Sequence, residues 1–173
     1  MRRFTAHSRF IFALSLTIAP CAHAHPPTPS KGEGHQLLPT SRDYDLCART
    51  VWGEARSQSQ EEQAAIVHVA YNRWRSGRWG KRFEDVFLAR KQFSTWNVWD
   101  KNFPLIANLD LDHRDWRFKR ALMICAVTIN ARDFGAEDPT HGMMHFYHGK
   151  RPPYWATGRR ALKIGAATFV RTR

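Results

Sequence analysis

A carboxylate, Glu54, ends an apolar stripe in the segment that runs from Cys47 to Arg56. If this segment is helical, Cys47, Val51 and Glu54 are spaced four and three residues apart and share one face. Burial on that face disfavours the charged form of a carboxyl group and raises its pKa. A carboxylic acid that is still protonated near neutral pH can protonate a leaving oxygen, which is the general-acid step in glycosidic bond cleavage. The spacing therefore makes Glu54 a candidate catalytic acid.

The same residues allow a purely structural interpretation. Arg49 and Arg56 lie close to Glu54 in sequence, and either arginine can pair with its carboxylate at the surface of a helix. The segment alone leaves both interpretations open.

A second candidate region is the aromatic stretch 90–109, which contains Gln92, Phe93 and Ser94. Aromatic rings suit the apolar faces of sugar rings, and amides and hydroxyls suit sugar hydroxyls. This stretch can therefore line a sugar-binding groove. The alternative is that Phe93 and Trp96 are core residues beneath a long irregular loop.

Capping residues and periodicity predict the helices that position Glu54. Asp43 is a candidate cap for a helix that runs to about Ala55. Ser59 followed by Glu62 fits a capping box for a second helix, 60–75, which is apolar nearly all round and ends at Gly77.

Further along the chain, a short helix is predicted at 83–88 and a longer one at 113–133 with Asp112 as its cap. Segments 143–148 and 168–170 have strand-like composition, and His145 and Tyr147 alternate with their neighbours onto one face. The pattern predicts an α+β fold with a mainly helical core and a small antiparallel sheet near the C-terminus.

The N-terminus predicts export. Residues 1–24 combine three arginines, a short apolar core and a small-x-small cleavage signal, as secretory signal peptides do. A lipoprotein using Cys21 and an uncleaved anchor are the alternatives. Residues 25–42 are rich in Pro and Gly and predict a linker, which leaves 43–173 as a catalytic domain. No later stretch is long and apolar enough for stable membrane insertion.

The net charge and the cysteines indicate the kind of partner and the compartment of the protein. The 173 residues carry a formal net charge of +12, which falls to +9 when the three signal arginines are removed. Such a charge favours a polyanionic partner. Because the chain is expected to be exported, the bacterial cell wall is favoured over nucleic acid.

Cys47 and Cys125 remain after cleavage and predict a possible disulfide, with two separate buried thiols as the alternative.

The segment 48–56 reads Ala-Arg-Thr-Val-Trp-Gly-Glu-Ala-Arg and resembles the signature of the SleB/CwlJ-type cell wall hydrolases. The resemblance extends from about residue 43 to 171. It continues in the same order at segments 64–73, 92–97, 138–148, 153–156 and 163–169. Three departures stand out: Ser57-Gln58 where the family usually has Gly-Glu, Thr95 where it often has Cys, and Trp52 where it commonly has Asn or Tyr. They bear on substrate preference more than on reaction class.

This resemblance implies a lysozyme-like catalytic core that cleaves peptidoglycan glycan strands, with Glu54 as the catalytic acid and no cofactor. It places His145 or Tyr147 in the cleft. The expected substrate contacts are Arg56, Gln92, Phe93, Ser94, His145, Tyr147 and Trp155. A hydrolase normally needs a second carboxylate, and no other acid has a comparable sequence context. The sequence therefore favours a lytic transglycosylase, which needs one.

Two rival functions remain. His141, His145 and His148 have helical spacing and suggest a zinc amidase acting on the peptide stem, although Pro139 and Gly142 oppose a helix there. A basic, non-catalytic wall-binding module explains the charge and the aromatic residues, but it gives no reason for Glu54 to end an apolar stripe.

Overall fold

The computed structural model describes residues 38–109 and 114–172. The predicted signal peptide, the predicted linker up to residue 37, and Asp112 and His113 at the predicted start of the fourth helix all lie outside these residues.

The first helix, α1, spans Ser41–Ala55 and carries Glu54 in its last turn. Thr40 is its N-cap, and the Asp43 carboxylate accepts a hydrogen bond back from the Thr40 backbone N–H at 2.7 Å. The prediction that Asp43 caps this helix was therefore wrong, because Asp43 is the third residue of a capping box. The helix begins two residues before the predicted domain boundary at Asp43.

The second helix, α2, spans Gln60–Ser76 and ends at Gly77, whose φ of 66° is left-handed. Ser59 accepts a hydrogen bond from the backbone N–H of Glu62, as predicted for an N-cap. The Glu62 carboxylate, however, points towards the C-terminal sheet and accepts from the backbone N–H of Ala166 at 2.7 Å. The side chain that was predicted to complete a local cap instead makes a long-range contact.

Helix α3 spans Phe83–Leu88, as predicted. The stretch 90–109, predicted to be irregular, contains a 3₁₀ turn at Ser94–Trp96 and the short helix α4 at Phe103–Ala107. Helix α5 spans Trp116–Asp133 and is capped by Asp115, not by Asp112 as predicted. A sequence with several aspartates ahead of a helix does not indicate by itself which one becomes the cap.

A three-stranded antiparallel sheet follows the helices, with the order β1-β3-β2. Its strands are β1 (His145–His148), β2 (Ala161–Ile164) and β3 (Ala167–Val170). Strands β2 and β3 form a tight hairpin through Gly165, whose φ is 62°. Helices followed by a small antiparallel sheet confirm the predicted α+β class.

The core forms where α1 and α2 pack against α5. Its largest fully buried side chains are aromatic or branched: Trp74, Phe83, Phe87, Phe93, Phe118, Phe169, Ile66, Ile106 and Ile129. Cys47 on α1 and Cys125 on α5 are fully buried and unbonded. In the structure they are free thiols in contact with each other, and the possible disulfide between them stays a prediction. Burial and the neighbouring Cys47 thiol raise the pKa of Cys125 well above its usual range.

Candidate active site

A cleft of about 610 Å³ opens beside the C-terminal end of α1. Glu54 lies in its lining, and the edge strand β1 supplies the opposite wall. The remaining lining comes from α2, the loop before and after the 3₁₀ turn, and the C-terminal segments: Arg73, Lys91, Gln92, Ser94, Asn97, Tyr154, Trp155, Arg159 and Thr172.

The Glu54 carboxylate is held through one of its two oxygens. Oε1 accepts hydrogen bonds from the backbone N–H of Thr95 at 3.0 Å and from the Ser94 hydroxyl at 3.1 Å. Thr95 can approach this closely because the preceding residue of α1 is Gly53, whose missing Cβ would collide with the Thr95 side chain. The second oxygen, Oε2, has no hydrogen bond to any described residue and is the one free to carry a proton.

The electrostatic environment of Glu54 favours its protonated form. Burial raises the pKa of Glu54 above its usual value, and the nearby Asp100 carboxylate raises it further. The hydrogen bonds from Thr95 and Ser94 and the positive potential of His148 act in the opposite direction, but burial is the larger effect. A carboxyl group in this setting can serve as a general acid.

His148 faces the cleft with a buried carboxylate behind it. Its Nε2 lies 2.8 Å from Oε1 of Glu62, which is completely buried. Because Oε2 of Glu62 already accepts from Ala166, the carboxylate holds the imidazole and the β2–β3 turn together. When the Glu62 carboxylate is ionised it only accepts hydrogen bonds, so Nε2 of His148 is then the donor in this pair.

Arg73 lies beneath the cleft and is almost fully buried. Its Nε donates to the backbone carbonyl of Met144 at 2.7 Å, and its Nη1 donates to that of Gln92 at 3.5 Å. Its guanidinium also stacks over the Phe93 ring at 4.7 Å. Burial lowers the pKa of Arg73 to about 10, while the negative charge of Glu54 raises it, so Arg73 remains a cation at neutral pH.

His145 is a neutral cleft residue. Burial, together with the positive charges of Arg73, Arg159 and Arg78, lowers its pKa to about 4. Its Nδ1 lies 2.9 Å from the Thr172 hydroxyl, and its ring contacts that of Trp155. At neutral pH this side chain is a hydrogen-bonding group and not a charge.

Five of the seven predicted substrate contacts line the cleft: Gln92, Ser94, His145, Tyr147 and Trp155. Arg56 does not, because it bonds to Asn102 and stacks over Trp52. Phe93 does not either, because it is buried in the core, as the alternative interpretation held. The alternative interpretation, in which Glu54 pairs with Arg49 or Arg56, does not hold either, since Arg49 pairs with Asp45 instead.

Sequence reasoning missed several residues of the site. Arg73, Asn97, Arg159 and Thr172 line the cleft, and Glu62 and Asp100 act from outside its surface. One signal was present in the sequence: Glu62 sits on a helix that is apolar nearly all round, where a charge needs a partner.

The geometry required by the zinc alternative is absent, because 145–148 is a strand and not a helix. Among residues 38–109 and 114–172, no group of three or more His, Cys, Asp or Glu side chains is placed to hold a metal ion. Within the same part of the chain, every helix is too short or too polar to cross a membrane.

A helical core joined to a small antiparallel sheet, with a half-buried glutamate at the cleft between them, defines a lysozyme-like fold. A solved structure with this architecture is the SleB catalytic domain of Bacillus cereus, with a TM-score of 0.62 and 21% identity over 81% of this chain and 100% of that chain. A second is the catalytic domain of the germination-specific lytic transglycosylase SleB from Bacillus anthracis, with a TM-score of 0.59 and 20% identity over 78% of this chain and 98% of that chain.

The family model named Cell Wall Hydrolase matches residues 57–170, which is more than half of the chain. The protein therefore belongs to the cell wall hydrolase family of enzymes. The match begins just after Glu54, so the role of this residue rests on the geometry of the cleft. No curated protein sequence matches the chain.

Proposed function

We propose that this enzyme cleaves the glycan strand of peptidoglycan between N-acetylmuramic acid and N-acetylglucosamine, as a lytic transglycosylase with Glu54 as its catalytic acid. The observation that carries the proposal is the carboxyl group of Glu54, whose Oε1 is fixed by two donors while burial favours its protonated form. The B. anthracis relative is described as a lytic transglycosylase, which supports the same chemistry.

In the proposed reaction, Oε2 of Glu54 protonates the oxygen that links the two sugars. The bond from C1 of the muramic acid to that oxygen breaks, and an oxocarbenium-like centre develops at C1. The C6 hydroxyl of the same sugar then attacks C1 and returns its proton to the Glu54 carboxylate. The products are a 1,6-anhydromuramic end and a free N-acetylglucosamine end, and Glu54 is protonated again.

The surroundings of the cleft suit this route. Asp100 lies close enough to influence Glu54, and its charge can stabilise positive charge that develops at the sugar. Hydrolysis would require water to replace the C6 hydroxyl, with a second carboxylate placed to activate it. In the described cleft lining, Glu54 is the only acidic residue, and this favours attack from within the sugar.

We propose substrate contacts from two sides of the cleft. Gln92, Ser94 and Asn97 present polar groups from the loop side, and Tyr147 and Trp155 present aromatic faces from the sheet side. The edge-to-face contact of these two rings, with centroids 6.0 Å apart, gives them a fixed orientation. Amides can bind sugar hydroxyls while the rings cover the apolar sugar face.

For the rest of the chain, we propose a signal peptide at 1–24, a linker up to the cap of α1, and an exported catalytic domain. The proposed site of action is the periplasm or the cell wall itself. This placement agrees with the net charge of +9 that remains after removal of the signal peptide, and with a wall polymer as substrate.

Mass spectrometry of the fragments released from purified peptidoglycan tests the proposal. The mature protein is expected to release fragments with anhydromuramic ends, and Glu54→Gln, which keeps the acceptor for Thr95 and Ser94, is expected to release none. Ser57→Ala, a change at an exposed position just beyond α1, serves as a control for handling and folding. Reducing ends would replace transglycosylation by hydrolysis. Free stem peptides would point to an amidase, and no release by the mature protein would point to a binding module.

A further inference from the structure

A second hollow, of about 510 Å³, lies beside the catalytic cleft. Its lining is polar and cationic: Thr157, Gly158, Arg159, Arg160, Arg171 and Thr172. No aspartate or glutamate is among these lining residues. Arg159 and Thr172 also line the catalytic cleft, so the hollow lies next to the cleft and shares part of its wall. A substituent of a molecule bound in the cleft can therefore come close to these arginines.

Two of the three arginines of this hollow are oriented by bonds to the backbone. Arg159 donates from Nε to the carbonyl of Trp155 at 2.7 Å, and Arg171 donates from Nη2 to the carbonyl of His141. The backbone N–H of Arg171 also bonds to the carbonyl of Arg160, which fixes the two chain segments side by side. A guanidinium that is already held in place loses little freedom when it binds an anion.

These three positive charges have no counterion within the described part of the chain. None of Arg159, Arg160 and Arg171 forms a salt bridge with a described carboxylate, although several other arginines do. Arg159 also helps to lower the pKa of the neighbouring His145. Clustered cations without an acidic partner create a local positive potential that favours a bound anion.

We propose that this hollow binds a free carboxylate of the peptide stem that each muramic acid carries. The inference rests on the proposed function, because a muramic acid bound in the cleft presents its own stem to the hollow. The stem branches from the muramic acid, and the hollow lies beside the cleft that would hold this sugar. Phosphate polymers of the wall are also anionic, but they are not attached to each sugar at the bond being cut, so the position of the hollow beside the cleft favours the stem carboxylate.

Direct binding of a stem peptide gives the first test. Titration calorimetry of Glu54→Gln with a purified tetrapeptide stem is compared with the same peptide whose carboxylates are converted to carboxamides. The double substitution Arg160→Gln/Arg171→Gln is expected to weaken binding of the acidic peptide by about tenfold. The control Arg114→Gln/Arg117→Gln removes the same charge at two exposed positions, one just before α5 and one in its first turn, and is expected to leave the affinity unchanged. Equal affinity for the two peptides, or an equal loss in both double variants, would overturn the inference.

The same variants in the active enzyme separate this inference from the proposed function. With peptide-bearing strands, Arg160→Gln/Arg171→Gln is expected to raise KM about tenfold at an unchanged kcat. With strands from which the peptides have been removed, KM is expected to equal that of the unsubstituted enzyme. The same KM increase on both substrates would overturn the stem site while leaving glycan cleavage intact.

If the unsubstituted enzyme cleaves neither substrate, the proposed function fails and the calorimetry still decides the stem site. Should the double variant not fold, Arg160→Gln alone is used, with Arg117→Gln as its control.

Discussion

The imidazole of His148 and the carboxylate of Glu62 are joined across 86 residues of chain by a contact of 2.8 Å. The carboxylate is completely buried, whereas about a third of the His148 side chain is exposed to the cleft. The pair therefore links the interior of the protein to the surface where substrate binds. A carboxylate behind a histidine selects one ring tautomer and fixes the ring orientation.

This relationship predicts the effect of Glu62→Gln. His148 and Ala166 bond to different oxygens of Glu62, and glutamine replaces one of these oxygens by an NH2 group, which cannot accept a hydrogen bond. We expect one of these bonds to be lost, at a cost of about 1–3 kcal/mol in the free energy of unfolding. The ¹⁵N chemical shifts of His148 are expected to report the Nε2–H tautomer in the unsubstituted protein and a changed tautomer population in the variant. Glu61→Gln, at the exposed neighbouring position, is the matched control and is expected to change neither measurement. An unaltered tautomer in Glu62→Gln would show that the carboxylate does not determine it.

The raised pKa of Glu54 predicts how stability depends on pH. Because the folded state binds this proton more tightly than the unfolded state, stability falls as pH rises from the usual value of 4.5 through the raised pKa. Glu54→Gln removes this loss. We therefore expect the variant to be more stable than the unsubstituted protein at neutral pH and similar to it at pH 4. Urea unfolding of both proteins at several pH values measures the difference, and a constant difference across the range would contradict the prediction.

The carboxylate of Asp100 predicts a shift in the pH profile of activity. A general acid is active only while it is protonated, so kcat is expected to fall as pH rises through the pKa of Glu54. Asp100→Asn removes a negative neighbour and therefore lowers that pKa. We expect the alkaline limb of the kcat profile to move to lower pH. Asp45→Asn, a carboxylate of α1 that pairs with Arg49, is expected to leave the limb in place. A limb unmoved by Asp100→Asn would rule out this electrostatic influence.

The close packing at Gly53 predicts that Gly53→Ala is destabilising, although alanine has the higher helix propensity. Alanine in place of an interior helix glycine usually gains about 1 kcal/mol. Here the added Cβ would meet Oγ1 and Cβ of Thr95, whose backbone N–H holds Glu54. We expect Gly53→Ala to cost about 1–3 kcal/mol in unfolding free energy and to lower kcat. Adding Thr95→Ala removes the nearest atom and is expected to recover part of both losses. A Gly53→Ala enzyme that is stabilised and fully active would contradict the close packing of these residues.

The two cysteines predict how many thiols react with a reagent before and after unfolding. Because Cys47 and Cys125 are fully buried and unbonded, neither is expected to react with a thiol reagent in the folded protein, and both are expected to react after unfolding. Mass spectrometry of the unreduced, exported protein checks the same point independently. A mass lower by two hydrogens would restore the disulfide that the sequence first suggested.

Local signals in the sequence predicted much of the fold. Helix α3 has its predicted bounds, and Gly77 ends α2, because short-range periodicity and left-handed glycines determine both features. The caps were harder to predict. The N-caps are Thr40 and Asp115, and each helix start has several cap-forming residues within a few positions, so a local pattern does not identify which one is the cap.

The site was predicted only in part, for a related reason. Glu54 stood out because its own helix carries an apolar stripe. Glu62 did not, because its partners His148 and Ala166 are 86 and 104 residues away in sequence. Phe93 and Gln92 are adjacent, yet one is core and the other is cleft lining. Composition alone does not show which of two adjacent residues is buried and which lines the cleft. That depends on the backbone path into the short 3₁₀ turn that follows.

Arg73 has a mechanical consequence for the way a polymer enters this enzyme. Its guanidinium donates to the backbone carbonyl of Gln92 in the loop wall and to that of Met144 at the start of the sheet wall. Arg73 therefore connects the two walls beneath the cleft. We expect two walls joined in this way to keep their separation. We also expect the groove to receive the middle of a stiff strand from the side, without a hinge motion and without threading from a chain end.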